Sequence, residues 1–189
     1  LQREDVSNIL TQGGTVLGSS NKANPSAHPV ANGSGFTVCD VRDQVIANCE
    51  QAGLDAVIVI GGDGTMSGAA ELAERGLRVI GVPKTIDNDL WATEVTFGHD
   101  TAVATATDAL DKVHTTASSH HRVMVVELMG RYAGWLALRA GMAAGADMSS
   151  VSMHKSGGSL TQSSLLLIGP RVNPNYVRQI INLTQTTSA

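Results

Sequence analysis

The chain has 189 residues, 42% of them hydrophobic, which is enough to bury one sizeable core and excludes a purely disordered chain. Charged residues make up 16%, and no stretch approaches the roughly 18 consecutive apolar residues that indicate a membrane-spanning helix. The 13 Lys and Arg residues are scattered among 17 Asp and Glu residues, so no basic stripe is available to a nucleic-acid backbone. We therefore expect a compact protein that binds neither nucleic acid nor a membrane.

The cysteines and the first residues bear on the compartment. Cys39 and Cys49 form no CxxC pair and have no His at metal-ligand spacing, which argues against a disulfide scaffold and a zinc site. No basic segment followed by an apolar stretch opens the chain, so a secretion signal has no support. We expect a cytoplasmic protein, and we expect residues to be missing before Leu1 because the chain does not begin with Met.

Composition divides the chain into two regions. Residues 1–148 carry 10 basic and 17 acidic side chains, whereas residues 149–189 carry 3 basic side chains and no acid. The second region contains twelve Ser or Thr residues and is interrupted by Gly and Pro. We predict one α/β domain over 1–148 and a Ser/Thr-rich tail over 149–189, with short packed elements only at 165–168 and 176–183.

The middle of the chain alternates between two hydrophobic periods. Apolar residues at helical spacing follow Asp40, a candidate helix cap, and predict a first helix. Short apolar runs after it predict strands at 55–60, 78–82 and 122–128. Helices are predicted between and after these strands, at 66–75, 99–117 and 132–144. The first strand is β-branched, as in strands buried on both faces. This order predicts an α/β fold with a Rossmann-like parallel sheet of repeated βα units and helices on both faces. Ligands bind such sheets at the carboxyl ends of the strands.

A glycine-rich segment, Gly-Gly-Asp-Gly-Thr at 61–65, lies between the first predicted strand and the following helix. Glycines allow the backbone to approach a phosphate, and a helix N-terminus favours negative charge. Asp63 is placed to hold Mg²⁺ between phosphate oxygens. The alternative interpretation is a tight turn in which Asp63 only caps the helix.

A second polar segment, Pro-Lys-Thr-Ile-Asp-Asn-Asp at 83–89, follows the next predicted strand. Lys84 can neutralise phosphate charge, while one of the two carboxylates, Asp87 or Asp89, can deprotonate an alcohol and the other can support a metal. The alternative is a turn rich in Asp and Asn whose side chains satisfy its own backbone.

A third segment, Met-Gly-Arg at 129–131, places Arg131 near the start of a predicted helix, where it can clamp phosphate or stabilise a transferring phosphoryl group. The alternative is a surface Arg that pairs with an Asp. Trp91, Trp135 and Phe97 are few and dispersed, and we interpret them as core or edge packing.

Five motifs in order, GGTVLGSSN from Gly13, GGDGT from Gly61, PKTIDND from Pro83, SSHHR ending at Arg122 and MGR from Met129, resemble the 6-phosphofructokinase family. The resemblance implies an incomplete phosphofructokinase fold. It also implies transfer of a phosphoryl group, with Mg²⁺, to the 1-hydroxyl of fructose 6-phosphate, a step of glycolysis.

The same resemblance implies roles for individual residues. Asp87 matches the general base, Thr85 a residue that touches the phosphoryl group and the sugar, and Arg131 the residue that stabilises the transition state. Asp63 and Asp89 match the metal-holding acids. Arg122 matches an Arg that reaches the sugar phosphate of a neighbouring subunit, which implies a homo-oligomer. The remaining positions match donor-binding residues, Gly61, Gly62, Gly64, Thr65 and Lys84, and sugar-phosphate-binding residues, Met129 and Gly130.

The identity of the phosphoryl donor rests on two positions. Gly64 leaves room for a nucleotide where diphosphate users commonly carry Asp, whereas Lys84 is shared with diphosphate users and also occurs in ATP users. We favour ATP, and diphosphate remains an alternative. The chain lacks the family's N-terminal Gly-rich loop and second half, so an inactive form that binds only sugar phosphate or partner subunits also stays open. NAD kinases and lipid kinases share the GGDGT loop, but PKTIDND and MGR argue against them.

Overall fold

A computed structural model describes residues 2–20, 23–152 and 164–178. The chain forms two compact units, one of residues 1–57 and 68–80 and the other of residues 58–67 and 81–189. Among the described residues, no helix is both long and apolar enough to cross a membrane.

Strands and helices alternate through the middle of the chain. The strands are β1 (His28–Ala31), β2 (Phe36–Cys39), β3 (Val57–Gly61), β4 (Val79–Pro83), β5 (Met148–Ser152) and β6 (Ser164–Ile168). The helices are α1 (Arg42–Gln51), α2 (Asp63–Glu74), α3 (His99–His120) and α4 (Trp135–Ala143). The helix predicted after Asp40 is confirmed, but its N-cap is Val41, which makes no side-chain cap bond. The Asp40 carboxylate, one residue earlier, accepts a hydrogen bond from the Arg42 backbone N–H at 3.0 Å.

The strands pair in twos. β1 with β2 and β5 with β6 are antiparallel, and β3 pairs with β4. The Val57 N–H donates to the Arg78 carbonyl at 2.9 Å, and the Lys84 N–H donates to the Gly61 carbonyl at 2.8 Å. From the first bond to the second, the residue number increases in both strands, so β3 and β4 are parallel. The predicted parallel βα arrangement is confirmed, within a mixed α/β fold.

The prediction of a third strand at 122–128 is wrong. The segment forms no ladder with any described residue, and Val123 and Val125 are about nine-tenths exposed. Burial of the first strand on both faces was also wrong, because Ile58 and Ile60 are more than half exposed. Hydrophobic, β-branched residues make a strand favourable only when a neighbouring strand and a covering layer are present.

Helix boundaries shifted for local reasons. The helix predicted at 66–75 begins at Asp63, because the first turn of a helix requires no intrahelical N–H partner and so tolerates the glycine-rich segment. The helix predicted at 132–144 begins at Trp135, since Arg131 and Gly134 adopt left-handed φ values of 51° and 70°. The long helix predicted at 99–117 extends to His120.

The core of the second unit lies between α3 and α4. Ala106, Leu136 and Ala140 are buried there, and Ile86 and Leu128 pack against them. Ile86 belongs to the segment after β4, and Leu128 precedes Met129. The core therefore anchors the second and third polar segments.

The tail contains more order than predicted at its start. Residues 149–152 lie in β5 and pair with β6, which contains the predicted element 165–168. Of the predicted element 176–183, the described residues 176–178 belong to a helical turn, and the remainder lies outside the described residues. The division at 148 stays a prediction.

Candidate functional site

The glycine-rich segment forms a tight passage from β3 into α2. Gly61 is buried, and a Cβ on it would lie 2.5 Å from the Cβ and Oγ1 atoms of Thr65. Only glycine fits there without a shift. Asp63, Gly64 and Thr65 form the exposed first turn of α2, where backbone N–H groups have no intrahelical acceptor. The segment thus presents free donors and a positive helix end to an anion.

The first and second polar segments are in contact. A Cβ on Gly62 would lie 3.5 Å from the Thr85 Cβ and 3.7 Å from the Lys84 carbonyl oxygen. A Cβ on Gly64 would meet nothing within 4 Å. Gly64, on which the choice between ATP and diphosphate depends, therefore has free space around its Cα.

The segment after β4 is a structured loop with two unpaired acids. The Asp87 N–H donates to Thr85 Oγ1 at 3.2 Å, and Asn88 has a left-handed φ of 53° and bonds to the Glu94 carbonyl and the Thr96 N–H. The carboxylates of Asp87 and Asp89 are half-buried and make no hydrogen bond or ion pair with any described residue. The alternative interpretation, a turn whose side chains bond to its own backbone, therefore explains the bonds of Thr85 and Asn88. It leaves the carboxylates of Asp87 and Asp89 available to a ligand.

The third segment turns sharply at Gly130, which is buried with a φ of 154°. Arg131 Nη1 then lies 3.5 Å from Asp63 Oδ2, and the guanidinium carbon lies 5.0 Å from the centre of the Tyr132 ring. Both charged side chains are at least half exposed. An ion pair of that exposure is weak, so the Arg remains free to bind a stronger anion.

Side chains from all three segments line one cavity of about 490 Å³. Its charged residues are Asp63, Asp89 and Arg131. Its other lining residues are Asn88, Leu90, Trp91, Tyr132, Ala133 and Trp135.

The interpretation of Trp91 and Trp135 as packing residues was wrong. Trp91 is 95% exposed and Trp135 is 47% exposed, and both tryptophans of the chain line the cavity. The available signal was proximity, since Trp91 follows Asp89 by two residues and Trp135 follows Arg131 by four. Phe97 is 63% exposed and lies at the sheet edge, where its N–H bonds the Pro83 carbonyl.

Several predicted site residues lie outside the lining of this cavity. Asp87 is on the same loop as Asp89 but does not line the cavity. Lys84 and Met129 belong to the second and third polar segments, and both are exposed. Arg122 is exposed at the end of α3 and forms no ion pair with any described residue. The structure thus brings Asp63, Asp89 and Arg131 to one cavity, and Arg122 is not among the residues that line it.

The donor set fits Mg²⁺. Asp63 and Asp89 are two carboxylates on one cavity, and the described residues contain no group of three or more His, Cys, Asp or Glu side chains suited to a metal. Mg²⁺ is commonly held by one or two carboxylates together with substrate phosphates and water, rather than by an all-protein cage. Two acids at a cavity beside the N-terminal end of α2 match that pattern.

A glycine-rich turn from a strand into a helix N-terminus is a common phosphate-binding arrangement in α/β proteins. The family model described as phosphofructokinase matches residues 1–157. The chain belongs to the phosphofructokinase family.

Relatives of this chain carry two different donor names. It is 54% identical over 149 residues to "ATP-dependent 6-phosphofructokinase 2" of Clostridium perfringens, covering 78% of this chain and 41% of the relative. It is also 54% identical over 144 residues to "Pyrophosphate--fructose 6-phosphate 1-phosphotransferase" of Amycolatopsis mediterranei, covering 76% and 39%. The chain thus spans about two fifths of the length of these relatives.

Two solved structures support the fold. Phosphofructokinase from Saccharomyces cerevisiae aligns with a TM-score of 0.51 and 37% identity, covering 57% of this chain and 17% of that one. Phosphofructokinase of Pichia pastoris in the T-state aligns with a TM-score of 0.53 and 28% identity, covering 57% and 13%.

Proposed function

We propose that this chain takes part in transfer of a phosphoryl group from ATP to the 1-hydroxyl of fructose 6-phosphate, the 6-phosphofructokinase step of glycolysis. The observation that carries the proposal is the meeting of Asp63, Asp89 and Arg131 around one cavity beside the glycine-rich turn. Family membership supports the reaction class. A location in the cytoplasm is part of the proposal.

The acceptor hydroxyl would lose its proton to Asp87. Its carboxylate makes no bond with any described residue, so it is available to the substrate. Thr85 would contact the sugar and the transferring group, and its hydroxyl already accepts from the Asp87 N–H. Met129 and Gly130 would border the sugar phosphate, and Arg122 would serve the site of a neighbouring subunit in a homo-oligomer.

The donor phosphates would bind at the α2 N-terminus. Gly61 and Gly62 allow close backbone approach, Gly64 and Thr65 contribute first-turn N–H groups, and Lys84 adds positive charge. Asp63 and Asp89 would hold Mg²⁺, which supplies positive charge to the phosphate oxygens. Arg131 would leave its weak pair with Asp63 and stabilise charge on the transferring phosphoryl group.

ATP is favoured over diphosphate because Gly64 leaves open space in the first turn of α2. The relative named for pyrophosphate keeps diphosphate as the second candidate donor.

The test is turnover by the purified chain with fructose 6-phosphate, Mg²⁺ and either donor, measured as formation of fructose 1,6-bisphosphate. Tryptophan fluorescence provides a parallel binding readout, since both tryptophans line the cavity. Turnover with ATP supports the proposal, and turnover with diphosphate alone transfers it to the other donor. Binding without turnover favours the form that only binds sugar phosphate or partner subunits, and absence of both contradicts the proposal.

A further inference from the structure

Two buried side chains hold the backbone that leads to Asp87. The Thr96 hydroxyl donates to the Thr85 carbonyl oxygen at 2.7 Å, and His99 Nδ1 lies 2.7 Å from the Ile86 carbonyl oxygen. Because a carbonyl oxygen can only accept, His99 donates through a protonated Nδ1. Both carbonyls that precede Asp87 are therefore fixed by side chains from the start of α3 and the turn before it.

The residue after Asp87 is held by the same segment. The Thr96 backbone N–H donates to Asn88 Oδ1 at 2.8 Å, while Asn88 Nδ2 donates to the Glu94 carbonyl at 3.2 Å. Asn tolerates the left-handed φ of 53° better than most residues. The two backbone carbonyls before Asp87 and the side chain of the residue after it are thus bonded to residues 94–99.

Burial makes these bonds strong and costly to lose. Thr96 is 2% exposed and His99 is fully buried. His99 Nε2 has no hydrogen-bond partner among the described residues, so the bond from Nδ1 to Ile86 is what orients the ring. The Ile86 side chain packs against the core between α3 and α4. Buried hydrogen bonds in such surroundings restrict motion more than exposed ones.

We propose that Thr96 and His99 are positioning residues that aim the Asp87 carboxylate at the acceptor hydroxyl, an inference that rests on the proposed role of Asp87 as base. They touch no substrate themselves. General-base catalysis requires the base within hydrogen-bond reach of the proton, and a misplacement of about 1 Å can cost on the order of a hundredfold in rate. The clamp formed by Thr96 and His99 supplies that placement.

The first test removes the Thr96 hydroxyl without changing its shape. Thr96→Val is expected to lower kcat by about tenfold to a hundredfold, with KM for fructose 6-phosphate little changed, because the base is displaced and the binding groups are not. Thr96→Ser keeps the hydroxyl and should restore most of kcat. Thr107→Val is the matched control, since the Thr107 hydroxyl bonds only to Val103 within α3.

His99 provides an independent pair of variants. His99→Phe keeps a ring but loses the donor, and His99→Asn keeps a donor in a smaller side chain. We expect the Phe variant to lose kcat and the Asn variant to recover part of it. Equal kcat values for Thr96→Val and Thr107→Val, or for the two His99 variants, would overturn the proposal.

The rate of amide hydrogen exchange at residues 85–89 tests the clamp without requiring turnover. Thr96→Val should accelerate exchange of these amides, and Thr107→Val should not. If the wild-type chain shows no turnover, the proposed function fails, and faster exchange still supports the clamp as the element that holds the Asp87 loop. Unchanged exchange in Thr96→Val contradicts the clamp whatever the activity.

Discussion

At the scale of single residues, Asp87 is the side chain that we propose as the general base. Asp87→Asn should lower kcat by a factor on the order of 10²–10⁴, the usual contribution of a general base, and leave sugar-phosphate binding nearly intact. Steady-state kinetics give kcat, and tryptophan fluorescence gives binding. Asp111→Asn, on the exposed surface of α3, is the control. Near-normal turnover in the Asp87 variant would remove this residue from the mechanism.

The proposed selection of the donor also rests on a single residue, Gly64. Because an added Cβ would meet no protein atom within 4 Å, Gly64→Asp should leave the fold intact and place its carboxylate where a nucleotide phosphate would lie. We expect kcat/KM for ATP to fall far more than kcat/KM for diphosphate, since charge repulsion and lost space both act on the larger donor.

The control for the donor prediction is Gly68→Asp, one turn further along α2, where an added Cβ also meets nothing within 4 Å. Equal losses with both donors in Gly64→Asp would show that this position does not select the donor. Diphosphate-only activity in the wild type would show that Lys84 outweighs Gly64.

At the scale of elements, ion pairs join the N-terminal end of α1 and the residue Asp40 before it to the C-terminal end of α2 and the residue Arg75 after it. Asp40 bonds to Arg42 and Arg75 at 2.6 and 2.8 Å, and Arg42 also pairs with Glu71 at 3.1 Å. The side-chain hydrogen bond from Arg42, followed by the Arg42 backbone N–H, holds the pKa of Asp40 well below its ordinary value. The folded state therefore favours the charged carboxylate.

The sign of this pKa shift predicts a pH dependence. A lowered pKa adds stability that is complete above the ordinary Asp pKa of about 4 and is lost as the pH falls through the lower folded pKa. Asp40→Asn should therefore be less stable than wild type at neutral pH, and the difference should shrink below about pH 4. Urea unfolding at several pH values measures it. Asp55→Asn, exposed before β3, is the control, and a difference independent of pH would contradict the prediction.

At the scale of the whole molecule, order is predicted to differ between the sheet and the tail. Residues 56–60 include most of β3, and their amides should exchange slowly. The stretch 149–160 is rich in Ser and Gly and lacks an amphipathic pattern, which by itself predicts poor packing and rapid exchange. Pairing of β5 with β6 corrects this for 149–152, while 153–160 lie outside the described residues and keep the prediction. Hydrogen exchange by mass spectrometry measures both, and equal protection of 56–60 and 153–160 would refute it.

Much of this protein was determined by the sequence itself, because the signals are local. Hydrophobic periodicity specified β3, α2, β4 and α3, and turn chemistry placed the polar segments after the strands. The polar segments at 61–65, 83–89 and 129–131 contain Asp63, Asp89 and Arg131, the charged residues that line the cavity. Each of these features depends on residues within a few positions of one another.

Only the tertiary structure decided the rest, because the deciding partners are distant in the chain. Whether 122–128 becomes a strand depends on a neighbouring ladder, and the described residues provide none. Trp91 and Arg131 line one cavity although they are distant in the chain, and the backbone before Asp87 is bonded to Thr96 and His99. Contacts of this kind form when packing of the α3–α4 core fixes where each loop lies, and no local pattern contains that information.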